Sequence, residues 1–401
     1  MRGNELLDKL ELIDPAYVEA ADTKPKKKKN AWVKWGAMAA CLCLAVIGTL
    51  TMGRLSERQN MPQPSDFSDL EPITIPEQSV GGMGFEGYLF YDISELNNKN
   101  PWSENMCITS LPVYQNGAYD PSGAGIPIGL SETEMMQRLD FVVSALGLEV
   151  LSIEVIADGF TLIDGEMVLS ADPTMICADT AGSEVNIYAD GSIAYFLRDG
   201  GLALPDEYNF THSGTTDEEA ENVLSYLIDV YDDLLGFAKP KAVSFGDYSF
   251  NAEFYRSYMV YDASGDDLED ILNYNFRYVS FWPDAKGNLS GIRINDGLLL
   301  AEKLGDYPVI TPEEATERLL NGNYQTSVPA KFSGEEYIGK IELVYRTGRL
   351  EEVLLPYYRF YVLLPDMSFA DNGLKIYGAY YVPAIADEYI VNMPTYDGSF
   401  N

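Results

Sequence analysis

Val185-Asn186-Ile187-Tyr188-Ala189-Asp190-Gly191-Ser192-Ile193-Ala194-Tyr195-Phe196-Leu197 is the stretch on which the fold turns. Two β-branched and aromatic runs flank Asp190-Gly191, a dipeptide that tolerates the positive φ a tight hairpin turn demands. The pattern returns further along. Phe276–Trp282 and Leu289–Asn295 flank a longer, glycine-bearing turn at 284–288. Tyr337–Tyr345, Tyr357–Leu364 and Tyr377–Val382 are further runs suited to antiparallel pairing.

Helices alternate with these strands. Ser131-Glu132-Thr133-Glu134 has the form of a capping box, in which hydroxyl and carboxylate each satisfy an orphan backbone N–H. Met135, Leu139, Val142, Val143 and Leu146 then follow at helical spacing, and Gly147 closes the run. Thr216-Asp217-Glu218-Glu219 and Thr311-Pro312-Glu313-Glu314 open two more helices. The pair Asp217-Glu218-Glu219-Ala220 and Pro312-Glu313-Glu314-Ala315 suggests a weak internal repeat, each helix being followed by strands. These elements predict an α+β body of antiparallel sheets with helices packed on one face.

Charge divides the chain. The total is −35, yet residues 1–53 carry eight basic and six acidic residues, so the acidic excess falls wholly on 54–401. An excess that large repels phosphate backbones and argues against nucleic acid as a partner. The run from Trp35 to Gly53 holds no charge. As a helix it would extend about 28 Å, close to the ~30 Å hydrocarbon core of a bilayer. Lys26, Lys27, Lys28, Lys29 and Lys34 precede it, with Trp35 at its start. The positive-inside rule places such an N-terminus in the cytoplasm and the remainder outside. A single-pass cell-membrane protein is therefore expected. Residues 1–34 form a cytoplasmic amphipathic and basic segment, 35–53 the transmembrane helix, and 54–83 a proline-rich linker. Residues 84–305 form an extracytoplasmic region and 306–401 a C-terminal module.

Chemistry is sparse. One histidine, His212, excludes sites built on two or more, and its neighbours Thr211, Ser213 and Gly214 place it in a loop. Gly82-Met83-Gly84-Phe85-Glu86-Gly87 has dinucleotide-loop spacing but no preceding apolar strand. Asp262–Asp267 begins like a calcium loop, yet lacks glycine at its sixth position and glutamate at its twelfth. Cys107 and Cys177 could pair in an oxidising compartment or remain thiols. The tyrosine-rich runs at 357–361 and 377–381 suit either a stacking surface or a buried strand. No catalytic residue, cofactor or metal site is expected, and an enzyme is not.

Thr311–Tyr381 resembles the YycH/YycI and PepSY-like modules of regulatory membrane proteins from Gram-positive bacteria. The likeness rests on the Glu-Glu-Ala helix, Ile341-Glu342-Leu343-Val344-Tyr345, and Pro356-Tyr357-Tyr358-Arg359-Phe360. The N-terminal segment resembles that of anti-sigma-factor-like proteins. Membership would imply a protein that restrains or tunes a membrane signalling complex without catalysis. Leu6, Leu7, Leu10 and Ile13 would then contact a cytoplasmic component, a sigma factor or a histidine kinase, and the outer domain would sense an unnamed ligand. A binding module for a cell-wall or peptide ligand, anchored only for location, is the second expectation.

Overall fold

Ser131 caps its helix as its sequence predicts: its hydroxyl accepts from Glu134 N, and the Glu134 carboxylate accepts from Ser131 N at 2.8 Å. Thr216 with Glu219 and Thr311 with Glu314 repeat the arrangement. The computed structural model describes residues 67, 69–75, 90–91, 97–157, 160–163, 166–169, 172–198, 200–248, 253–365, 367 and 374–400. All of these belong to the unit Pro64–Asn401.

The first elements are β1 (Phe90–Tyr91), β2 (Ser110–Gln115) and α1 (Glu132–Leu146). A meander follows: β3 (Val150–Ile156), a hairpin of β4 (Phe160–Ile163) and β5 (Glu166–Leu169), then β6 (Met175–Thr180), β7 (Ser183–Tyr188) and β8 (Ile193–Leu197). Next come α2 (Asp217–Val230), the single turn α3 (Asp232–Leu235), β9 (Pro240–Tyr248) and β10 (Phe254–Asp262). After them run α4 (Asp267–Phe276), β11 (Arg277–Pro283) and β12 (Leu289–Asp296). The C-terminal part holds β13 (Glu302–Pro308), α5 (Pro312–Leu320), β14 (Gln325–Thr326), β15 (Ile338–Tyr345), β16 (Val353–Leu354), β17 (Pro356–Leu363) and β18 (Ile376–Pro383).

Eight strands make one antiparallel sheet in the order β3-β6-β7-β8-β12-β11-β10-β9. Two meanders, each preceded by a capped helix, thus meet head to head at β8 and β12, where Ile193 faces Ile294. The inward alternation of Ile176, Ala178, Val185, Ile187, Val260, Val279 and Phe281 packs against Leu139 and Val142 of α1 and Val223, Leu224 and Leu227 of α2. On the opposite face α4 lies across the second meander, with Tyr274 edge-on to Tyr261 at 5.7 Å. Ile271 and Phe276 of α4 turn away from that sheet into a second core with Leu343, Tyr358 and Phe360.

That second core belongs to the sheet β1-β18-β17-β15, with β14 also paired to β18. Alternate residues of β17 and β18 enter a third core with Ile73, Val113, Tyr307 and Leu355. Both faces are covered, which is why β18 is buried along its whole length. A three-stranded sheet, β13-β2-β16, completes the described structure.

The α+β expectation needs correction on two points. The described residues are mostly antiparallel sheet with few helices, because β3, β6, β9, β10, β2 and β13 add strands that no turn signal had marked. Helices do not all lie on one face, since α4 occupies the face opposite α1 and α2. The single-pass transmembrane helix finds no support in the described residues: among them no helix is long and apolar enough to cross a membrane. The longest, α1, has 15 residues, an extent of about 22 Å, with acidic residues in its first turn. The run 35–53, its flanks Lys26, Lys27, Lys28, Lys29, Lys34 and Trp35, and the dinucleotide-like loop 82–87 lie outside the described residues.

Candidate functional site

The face of the eight-stranded sheet left open by α4 borders a cleft, closed on its other side by β15, β17 and the loop 346–352. The cleft has two cavities, of about 540 and 400 Å³. Both are lined by Asn275, Tyr278 and Thr347, so they adjoin there, and together they are taken as one trough. Strand alternation explains the lining. Val279 and Phe281 face the helices, and Tyr278, Ser280 and Trp282 therefore face the trough. Met259 and Tyr255 do the same from β10, and Arg293 and Asn295 from β12.

The loop 346–352 is pinned in place. Asp190, at the hairpin turn, takes the Arg349 Nε at 2.7 Å while also accepting from Ser192. Arg349 Nη1 donates to Gly125 O at 3.0 Å. Gly125 lies in a turn held by Asp120, whose carboxylate accepts from Ser122 and Ile126. Burial opposes ionisation of Asp120, but these hydrogen bonds outweigh it and hold the carboxyl below its usual range. The Asn116 side chain donates to Gly348 O and Glu351 O, at 2.9 and 2.7 Å. Across the trough, Asn275 Oδ1 accepts from Tyr345 N at 3.0 Å and ties α4 to β15.

The charges are partitioned. Three carboxylates line the second cavity, and each has an arginine: Asp190 with Arg349 at 2.7 Å, Asp296 with Arg277 at 3.3 Å, and Glu351 with Arg346 at 2.8 Å. At the wall of the first cavity Arg359, together with Lys340, holds Glu342. Arg293 lies over the Tyr188 ring, 5.7 Å from its centroid, and its Nε reaches Asn295 Oδ1 at 3.3 Å. Its partners are thus a ring and an amide.

No protein-family model matches the chain, and no curated protein matches its sequence. The trough must therefore be read on its own geometry.

His212 sits at the rim of the first cavity, Nδ1 3.0 Å from Arg256 O and its ring beside Tyr255 at 5.3 Å. The carboxylates of the calcium-like run have structural tasks. Asp262 accepts from Ala238 N and Lys239 N, and Asp266 is the N-cap of α4. Among the described residues no group of His, Cys, Asp and Glu could hold a metal ion. Cys107 and Cys177 are both free thiols, Cys107 exposed and Cys177 half-buried on β6. Tyr357, Tyr358, Tyr361, Tyr377, Tyr380 and Tyr381 are buried in the two C-terminal cores, and of these Tyr361 also lines the first cavity. Leu6, Leu7, Leu10 and Ile13 lie outside the described residues. Sequence reasoning passed over Arg293, Tyr278, Asn275 and Thr347. The one available signal was the alternation of Tyr278, Ser280 and Trp282, which marks a second face of that strand.

Proposed function

We propose that this protein is a binding module whose trough receives an extended peptide. Of the two functional expectations, regulator or binding module, this geometry supports the second. The observation that carries it is the pair of adjoining cavities that share Asn275, Tyr278 and Thr347 in their lining. A trough lined by rings and side-chain amides can stack on alternate side chains and hydrogen-bond the intervening backbone. Its walls are rigid, because the loop 346–352 is fixed at Asp190, Gly125 and Asn116. A pre-formed site avoids the ordering cost that weakens binding by mobile loops.

Thr347→Trp would fill the junction of the two cavities. The full-length chain should retain members of a degenerate tetrapeptide library in equilibrium dialysis, and the variant should retain at least tenfold less. A wild-type protein that retains no peptide above background would overturn the reading.

A further inference from the structure

We infer that the Arg293 end of the trough is a carboxylate-binding subsite, which anchors an acidic terminus or side chain of the bound peptide. The inference rests on the peptide-binding reading and adds the chemical group that is recognised. Among the described residues, every arginine other than Arg138 and Arg293 has a carboxylate in ion-pair contact. Arg138 is on α1, and its Nε is buried without a hydrogen bond. Arg293 alone of the two lines the trough.

The surroundings of Arg293 suit an oxyanion. Among the described residues its only hydrogen bond runs from Nε to Asn295, and both terminal amino groups of the guanidinium have no acceptor there. Those groups form the fork that grips a carboxylate in bidentate fashion. The Tyr188 ring beneath and the Asn295 amide beside it restrain the fork before any ligand arrives. Tyr278 lies next to it, and among the described residues no hydrogen bond engages its hydroxyl. Burial pushes that hydroxyl above its ordinary value and the Arg293 charge opposes the rise, so Tyr278 stays protonated and able to donate at neutral pH. The acidic groups Asp190, Asp296 and Glu351 are each neutralised by Arg349, Arg277 and Arg346. Among the described residues Arg293 is then the one arginine lining the trough with no carboxylate in ion-pair contact, in a chain of net charge −35. An acid-bearing peptide is repelled elsewhere on such a surface and held at this point, which aligns it in the trough.

Three degenerate tetrapeptide pools test this on the full-length chain. One has a free C-terminal carboxylate, one is C-amidated, and one is C-amidated with glutamate at its third position. Either acidic pool should bind at least tenfold more tightly than the neutral amide. Which of the two does so identifies the carboxylate as terminal or side-chain. Arg293→Gln should abolish the preference without shifting the thermal midpoint, and Arg293→Lys should restore part of it. Equal binding of all three pools, or a preference that survives Arg293→Gln, overturns the subsite and leaves the peptide-binding reading standing. Failure of every pool to bind overturns both.

Discussion

Glu342 on β15 and Arg359 on β17 stand directly opposite in register, both buried, at the wall of the first cavity. Burial alone would raise the Glu342 carboxyl. The charges of Arg359 and Lys340 outweigh it and hold the group below the usual carboxylate range. Removing only Arg359 leaves the buried carboxylate with Lys340 as its counter-charge and Asn98 as a hydrogen-bond donor. Arg359→Leu should cost about 3–5 kcal/mol of unfolding free energy in urea, and the double variant Glu342→Leu/Arg359→Leu should recover most of that loss.

The same pair sets a pH dependence. The folded value of Glu342 lies below its unfolded value, so its contribution is present above the unfolded value and lost as pH falls through the folded one. Thermal midpoints recorded from about pH 5 downward should fall less steeply in Glu342→Gln than in the native chain. Parallel curves would show that the carboxylate does not titrate with folding.

Thr216 and Glu219 close the N-terminus of α2 reciprocally, Glu219 accepting from Thr216 N at 2.8 Å. Thr216→Ala leaves an orphan donor and should cost ~1 kcal/mol. On the same helix Leu224 is wholly buried between α2 and the sheet, and Leu224→Ala should cost about 2–5 kcal/mol. Urea denaturation of the two variants should rank them in that order.

Burial, together with the neighbouring Glu184 carboxylate, raises the Cys177 thiol to about 11. At pH 8 roughly one molecule in a thousand carries the thiolate there. Iodoacetamide followed by peptide mass mapping should label exposed Cys107 at least tenfold faster than Cys177. Equal rates would mean that β6 opens readily at its outer face.

Local chemistry was legible and tertiary chemistry was not. The three capping boxes need only residues three apart, and the Asp190-Gly191 hairpin needs only its turn, so each could be read from a few neighbours. The helix Asp267–Phe276 was passed over because its acidic start resembled a calcium loop. Yet Asp266 before Leu268, Ile271 and Leu272 was a cap followed by helical spacing. Strands β9 and β10 carry glycine, lysine, arginine and aspartate among their apolar residues, which blurs the alternation. The trough was out of reach for another reason. Arg293 is distinctive only because the other arginines of the cleft already have carboxylates, and those pairings join residues up to 159 positions apart.

The head-to-head junction of β8 with β12 has a consequence for how the chain is made. Ile193 emerges from the ribosome roughly a hundred residues before its partner Ile294, a delay of about 5–20 s at ordinary elongation rates. Until then the first meander can form by local pairing, but its inner edge has no neighbour and offers its backbone to any passing strand. Biogenesis of this protein therefore includes an interval of exposure that the finished sheet conceals. Nascent chains stalled near residue 240 should aggregate or recruit a holdase, whereas chains stalled beyond 330, with β12 clear of the exit tunnel, should not.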